Sequence, residues 1–411
     1  MADNQATDTP WINPGKWFVS PHNFAPEVLK NFHPQPRVNI YDVTLRDGEQ
    51  QPGVVFRTEE KLRIAHALYD MGVKHIESGM VAVSPEDADA AARVAKELPN
   101  VEVASLARTT KGDIDAALRC GVKRVTIEVM TADGTIKLIW GSVEKAVDSF
   151  LQVATYAKQN GLYVNLFLSD GTRATMQRLR EFVVPIAKEN CIDSLAIVDT
   201  FGCATPWGFA HLVSELRKMS YAPVEAHCHD TWGFGTANTI AAITAGATTI
   251  HTAVNGLNGN ASLDECLMAA KALIGVETGV KTEGIFALSN LVKEYSKSDW
   301  YKPFLGWSAN KWEAGIPTGF MWQWRNTPEK FYEMLDLGMI GRPPAELVIG
   351  KKSGRQSMRM KAYLLKLDDP GDDKATEMLG QVKRLSEDKK GEVTDDEFRK
   401  IYSEVMSSAA A

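Results

Sequence analysis

Cysteine is scarce in this 411-residue chain, and the five present, Cys120, Cys191, Cys203, Cys228 and Cys266, are odd in number with no two at CxxC spacing. That excludes a zinc ribbon and a disulfide framework, and fits a reducing cytoplasm. No run approaches the roughly 18 apolar residues that a membrane-spanning helix needs. The opening "MADNQATDTPWINPGKW" has neither the basic start nor the apolar stretch of a secretory leader. Excess positive charge is missing too: the formal net charge of −6 leaves no electrostatic footprint for nucleic acid. Histidine is confined, since none follows His251. What remains, 44% hydrophobic and 24% charged, is the composition of a globular protein with a substantial core.

From about residue 37, short β-rich runs alternate with stretches of helical periodicity. The strand candidates are "VNIYDV" (38–43), "VKHIES" (73–78), "VEVASL" (101–106), "KRVTIEV" (123–129), "LYVNLFL" (162–168), "DSLAIV" (193–198), "PVEAH" (223–227) and "TTIHTAV" (248–254). Between them, segments such as "TEEKLRIAHALYDMG" (58–72) carry apolar residues at helical spacing, with Thr58 as N-cap and Gly72 as stop. Eight β-then-α units predict a (β/α)8 TIM barrel over 37–277. The alternative, a doubly wound open sheet, lacks a GxGxxG fingerprint after the first strand. An irregular, proline-rich arm (1–36) precedes the barrel. A mostly helical C-terminal subdomain (278–411) follows, including "TPEKFYEML" and a last helix opening on Thr394 and Glu397 at capping-box spacing.

Barrel enzymes build their sites at the C-terminal strand ends. Here those ends carry Arg46-Asp47 in "YDVTLRDGEQ", Glu77, Asp199-Thr200, His227-Cys228-His229, and then Asn255, Asn258 and Asn260. Alternation along a strand points His227 and His229 the same way and turns Cys228 back into the structure. Two imidazoles joined by the Asp47 carboxylate and the Asn260 amide make a mixed N/O site, suited to catalytic Mn²⁺, Mg²⁺ or Zn²⁺. Arg46, beside such a cation, calls for an anion to join them, a substrate carboxylate or a developing enolate. The bland alternative for Arg46 is an ion pair with Asp42 or Glu77. Thr200 and Gln50 are further substrate-binding candidates, and Glu77 a partner that orients Arg46 or a ligand.

Taken together, these blocks resemble the DRE-TIM metallolyases: isopropylmalate, homocitrate and citramalate synthases and 3-hydroxy-3-methylglutaryl-CoA lyase. The similar segments are "DVTLRDGEQQPG" (42–53), "IESGMVAVSPED" (76–87), "DTFGCATP" (199–206), "HCHDTWG" (227–233) and "GNASLDE" (259–265), in the family's order. "AGIPTG" (314–319) and "LVIGKKSGRQS" (347–357) are similar to subdomain segments of the synthases that the lyase lacks. The resemblance implies a divalent metal on Asp47, His227, His229 and Asn260. It also implies a 2-oxo acid bound by Arg46 and Thr200, acetyl-CoA as the second substrate, and a homodimer.

The departures are specific. "NGLNGNAS" is shorter than the synthases' glycine-rich segment near the acyl-CoA, and Trp312 and Pro317 stand where they carry histidines. "LSDGTRA" leaves Asp170 as the acidic candidate after the fifth strand. The expected activity is therefore condensation of an acetyl-CoA enolate with a 2-oxo acid. Its base would be Asp170, Glu313 or a metal-bound hydroxide, although Glu313 also reads as a surface carboxylate. The alternatives are a metal-dependent lyase or aldolase acting on a hydroxy acid without CoA, and an inactive paralogue that binds metal and oxo acid. The aromatic segments 298–307 and 320–326 are expected to line an acceptor pocket or to pack in the core or between subunits, and "GKKSG" (350–354) could be a flexible basic turn.

Overall fold

Eight parallel strands close on themselves in the computed structural model, which describes residues 9–13, 17–298, 311–326 and 346–407. They are β1 (Asn39–Asp42), β2 (His75–Glu77), β3 (Glu102–Ala107), β4 (Arg124–Met130), β5 (Tyr163–Ser169), β6 (Ser194–Asp199), β7 (Val224–Cys228) and β8 (Thr249–Thr252). β8 pairs with β7 at Thr249↔Glu225 and with β1 at Thr249↔Asn39, so the sheet has no free edge. Closure removes the doubly wound alternative.

The outer ring is α1 (Thr58–Met71), α2 (Pro85–Glu97), α3 (Lys111–Arg119), α4 (Val143–Gln159), α5 (Met176–Lys188), α6 (Pro206–Met219), α7 (Gly235–Thr244) and α8 (Leu263–Ala269). Five of these start on a hydroxyl: Ser84, Thr110, Ser142, Thr175 and Thr205 each accept an amide proton of the first turn. Thr58 is not such a cap. It is the first helical residue of α1, and the Arg57 N–H is satisfied instead by Glu60 Oε2 at 2.8 Å. Gly72 does end α1, at a φ of 100°.

The two faces of the strands differ. Outward-facing Ile40, Ile76, Val103, Val125, Ile127, Val129, Leu166, Ile197 and Ile250 join the helices in one apolar shell. The inward faces carry Tyr41, Glu77, Glu102, Arg124, Thr126, Glu128, Glu225, His227 and His251, with one small apolar cluster of Phe167, Ala196 and Val198. Fully buried Arg124 is the hub at the bottom. It pairs with Glu225 and with Glu102 at 3.4 Å, and lies over the rings of Tyr41 and Tyr163 at 4.3 and 4.9 Å. Breaking such a buried pair by removing one partner costs about 3–5 kcal/mol, because the other charge stays behind. The lower barrel is thus held by ions whose loss would be felt at the rim.

Beyond the barrel, α9 (Ile285–Ser296) packs on the barrel shell through Leu288, Val292 and Tyr295. A second core, built around Met358, Met378, Val382 and Phe398, then unites α10 (Gly315–Trp324), α11 (Arg355–Leu364), α12 (Gly371–Lys389) and α13 (Asp395–Ser407). Thr394 and Glu397 cap α13 reciprocally, at 2.7 and 3.3 Å. "GKKSG" is no flexible turn. Its Lys351 is buried against the barrel, bonded to Glu49 Oε1 (3.2 Å) and the Phe56 carbonyl (3.3 Å), with Asp87 at 3.3 Å. The expected helix 327–335 and most of the aromatic segment 298–307 lie outside the described residues. In 320–326, Trp322 packs in the second core and carries the Arg325 guanidinium 3.6 Å above its ring. No helix among the described residues is long and apolar enough to cross a membrane.

Candidate metal centre

The turn after β1 carries the centre's acid, and close packing explains its glycine. A Cβ on Gly48 would come within 3.1 Å of Leu257 Cβ, so the turn and the loop after β8 can meet only if that residue is bare. The second loop reaches the first through left-handed Asn255 and Asn258, at φ of 59° and 56°, a conformation asparagine tolerates. Asn258 Nδ2 and Asn260 Nδ2 then donate to Asp47 Oδ1 at 2.9 and 3.0 Å. On the far side, Gly202 of "DTFG" has a φ of 55°, and a Cβ there would lie 2.6 Å from the His229 carbonyl. The β6 loop is therefore seated directly on the end of β7.

Asp47, His227 and His229 converge: their ligand atoms all lie within 4.8 Å of one another. His227 Nε2 and His229 Nε2 are 3.2 Å apart, with Asp47 oxygens 3.6 and 4.0 Å from them respectively. Two nitrogens each about 2.1 Å from one ion, at angles between about 90° and 110°, would be separated by about 3.0–3.4 Å. The observed spacing fits. Protonation fits as well. Burial holds His227 well below the ordinary imidazole range, with Asp47 only partly opposing it, so its lone pair is available. Burial alone would raise Asp47, but Arg46, then His229 and His227, more than offset it and keep the carboxyl ionised below its usual range.

A chain of polar side chains below the centre sets the tautomer of His227. His251 Nε2 lies 2.9 Å from Glu225 Oε2, and His251 Nδ1 lies 3.3 Å from His227 Nδ1. Glu225 is held ionised by Arg124 and then His251, down to about 2 against its burial. Burial likewise lowers His251 below the ordinary imidazole range, with Glu225 partly opposing, which favours its neutral form. A carboxylate can only accept, so the His251 proton sits on Nε2 and its bare Nδ1 accepts from His227 Nδ1–H. His227 Nε2 is left unprotonated, facing Asp47 and His229. Neither Glu225 nor His251 was among the residues singled out from sequence, although "EAHCH" places Glu225 on the same strand face, two residues before His227.

Beside the centre, Arg46 is aimed by two carboxylates. Its Nη1 bonds Asp47 Oδ2 at 2.5 Å and its Nε bonds Glu77, which also accepts the Tyr41 hydroxyl at 3.1 Å. The Glu77 ion pair expected as the bland role of Arg46 is therefore present, but it uses only one edge of the guanidinium. Arg46 Nη2 is buried with no hydrogen-bond partner among the described residues. An orphaned cationic donor costs free energy unless something anionic joins it.

The remaining candidates divide. Thr200 Oγ1 accepts the Asp170 N–H at 2.8 Å, and its hydroxyl proton has no acceptor among the described residues. Gln50 is half-buried on the turn after Asp47. Asn260 faces Asp47 through its amide nitrogen and forms an isolated bridge with His229. Asp170 is at the rim, yet both its oxygens are taken by Arg173, each at 2.7 Å. Glu313 is no surface group. It is buried, accepting the backbone N–H groups of Lys352 (3.2 Å) and Gly53 (3.4 Å), which gives it a structural task. Cys228 points away from the centre into the apolar shell.

Comparison with known proteins gives the family. The model of the HMGL-like family matches residues 37–292. A homocitrate synthase of Methanopyrus kandleri is 36% identical over 391 residues, covering 94% of this chain and 96% of its own. A 2-isopropylmalate synthase of Methanocaldococcus jannaschii is 33% identical over 393 residues, 93% of this chain and 74% of the relative. Among solved structures, HMG-CoA lyase of Bacillus subtilis superposes with a TM-score of 0.57 at 23% identity, covering 66% of this chain and 97% of the lyase. A lyase of Acinetobacter baumannii, solved with coenzyme A and 3-methylmalate, superposes at 0.57 with 18% identity, covering 64% of this chain and 93% of its own. The lyases share the barrel fold, whereas the synthases extend along nearly the whole chain. This protein belongs to the HMGL-like family.

Proposed function

We propose that the protein is a divalent-metal-dependent acyltransferase of the isopropylmalate/homocitrate synthase type, condensing acetyl-CoA with a 2-oxo acid. The observation that carries this is coverage: relatives named as synthases align over 93–94% of the chain, C-terminal core included. Asp47, His227 and His229 would hold the ion, with Asn260 completing the set once its amide turns its oxygen inward. Mn²⁺, Mg²⁺ or Zn²⁺ each suits such a donor set, and the bound ion supplies Lewis acidity toward a chelating 2-oxo acid.

The chain's own groups do the rest. Arg46 directs its unpartnered Nη2 at the acid's carboxylate, and Glu77, holding the opposite edge, acts through Arg46 rather than on the substrate. Thr200 offers its hydroxyl proton to the same carboxylate. Gln50 lies on the turn beside it. The proposed setting is a cytoplasmic homodimer.

Incubating the purified protein with Mn²⁺, acetyl-CoA and a panel of 2-oxo acids, with free thiol monitored, tests the proposal. Thiol release with one acceptor, dependent on added metal, is the expected outcome. If no acceptor yields thiol, and hydroxy acids instead release pyruvate, the CoA-free lyase takes its place.

A further inference from the structure

Four carboxylates on the inward strand faces come from Glu77, Glu102, Glu128 and Glu225. Glu77 is paired with Arg46, Glu102 with Arg124 and His75, and Glu225 with Arg124 and His251. Glu128 has no Lys, Arg or His partner among the described residues. Among the described residues its one hydrogen bond comes from Ser169, whose Oγ–H donates to Oε1 at 2.7 Å, and no donor reaches Oε2.

Its place in the barrel is informative. Glu128 is two residues above Thr126 and four above Arg124 on the inward row of β4, in the upper half of the strand with Met130 above it. In register it lies beside Phe167 of β5. That ring is 5.9 Å from the Arg46 guanidinium carbon and 5.2 Å from the His227 ring. The carboxylate is near enough to Arg46, Asp47 and Glu77 to interact with each electrostatically, and the residue is half-buried. Burial raises the Glu128 carboxyl above its ordinary range, with the Ser169 bond and Arg46 partly opposing, a direction that makes it a stronger proton acceptor.

Resting on the proposed condensation, we infer that Glu128 is its general base, accepting the proton from the thioester methyl group. The other carboxylates named for that task are engaged, Asp170 by Arg173 and Glu313 by backbone amides. In the step, a methyl C–H proton passes to Glu128 Oε2 and its electron pair becomes the new C–C bond to the ketone carbon. The ketone π pair moves to its oxygen, which gains a proton as Glu128 returns to carboxylate. Water then cleaves the thioester and frees the CoA thiol; nothing is oxidised or reduced.

Two variants test this in the metal-loaded full chain. Glu128→Gln keeps the size and the Ser169 bond but not the basicity, and is expected to lower kcat by about 10²–10⁴-fold. Manganese content and the Kd for the 2-oxo acid should stay within about twofold of wild type. Glu128→Asp draws the carboxylate back and should enlarge the isotope effect on kcat/KM with methyl-deuterated acetyl-CoA, a readout that a merely structural role would not move. A kcat for Glu128→Gln within threefold of wild type overturns the inference, as does an unchanged isotope effect in Glu128→Asp. Absence of thiol release by the wild type would instead remove the condensation itself.

Discussion

Replacing His229 with alanine is expected to abolish both metal retention and turnover, with kcat falling by at least about 10³-fold. His229 supplies one of two imidazole nitrogens spaced for a single ion, and its Nε2 has no other donor or acceptor within bonding reach than His227, at 3.2 Å, among the described residues. Losing even an outer partner of a metal ligand typically costs about 10–100-fold, so losing the ligand itself should cost more. A readout independent of activity comes from stability. Manganese at about 100 times its Kd stabilises a native protein by about 2.7 kcal/mol, and the Tm of the wild type should rise on adding it. The Tm of His229→Ala should not move. Full retention of manganese by this variant would remove His229 from the centre.

Arg46→Lys should be nearly as damaging, though by another route. Lysine keeps the charge but loses the planar fork that lets one edge bind Glu77, one nitrogen bind Asp47 and Nη2 remain free. The expected result is a rise of about 10²-fold in the Kd for the 2-oxo acid, with manganese content preserved because Asp47 and both histidines remain. Calorimetric titration of the oxo acid into the manganese-loaded variant checks this. Binding within threefold of wild type would mean that Arg46 only buttresses Asp47.

Much of this was legible before any coordinates. The eight strands announced themselves as β-branched runs, because their outward faces pack against helices and must be apolar. Asp47, His227 and His229 were legible because the C-terminal strand ends of a barrel share one rim, and alternation puts both imidazoles on one side. Arg124, Glu128, Glu225 and His251 were not. Polar residues at every second position of a strand look like a solvated face, and a barrel interior filled with ion pairs has the same pattern as one facing water. Only the closed topology reveals that this face is enclosed. Lys351 and Glu313 were hidden for a different reason: they are buried by partners far away in sequence, Glu49 in one case and the Gly53 amide in the other. Thr58 missed the cap by one residue because Glu60 satisfies the preceding N–H from within the helix.

The most direct measurement is an anomalous-difference map from a crystal of the protein soaked in Mn²⁺. A single strong peak about 2.1 Å from His227 Nε2, His229 Nε2 and an Asp47 carboxylate oxygen is the predicted result. Manganese bound elsewhere, or no peak between these three side chains at saturating metal, would contradict it.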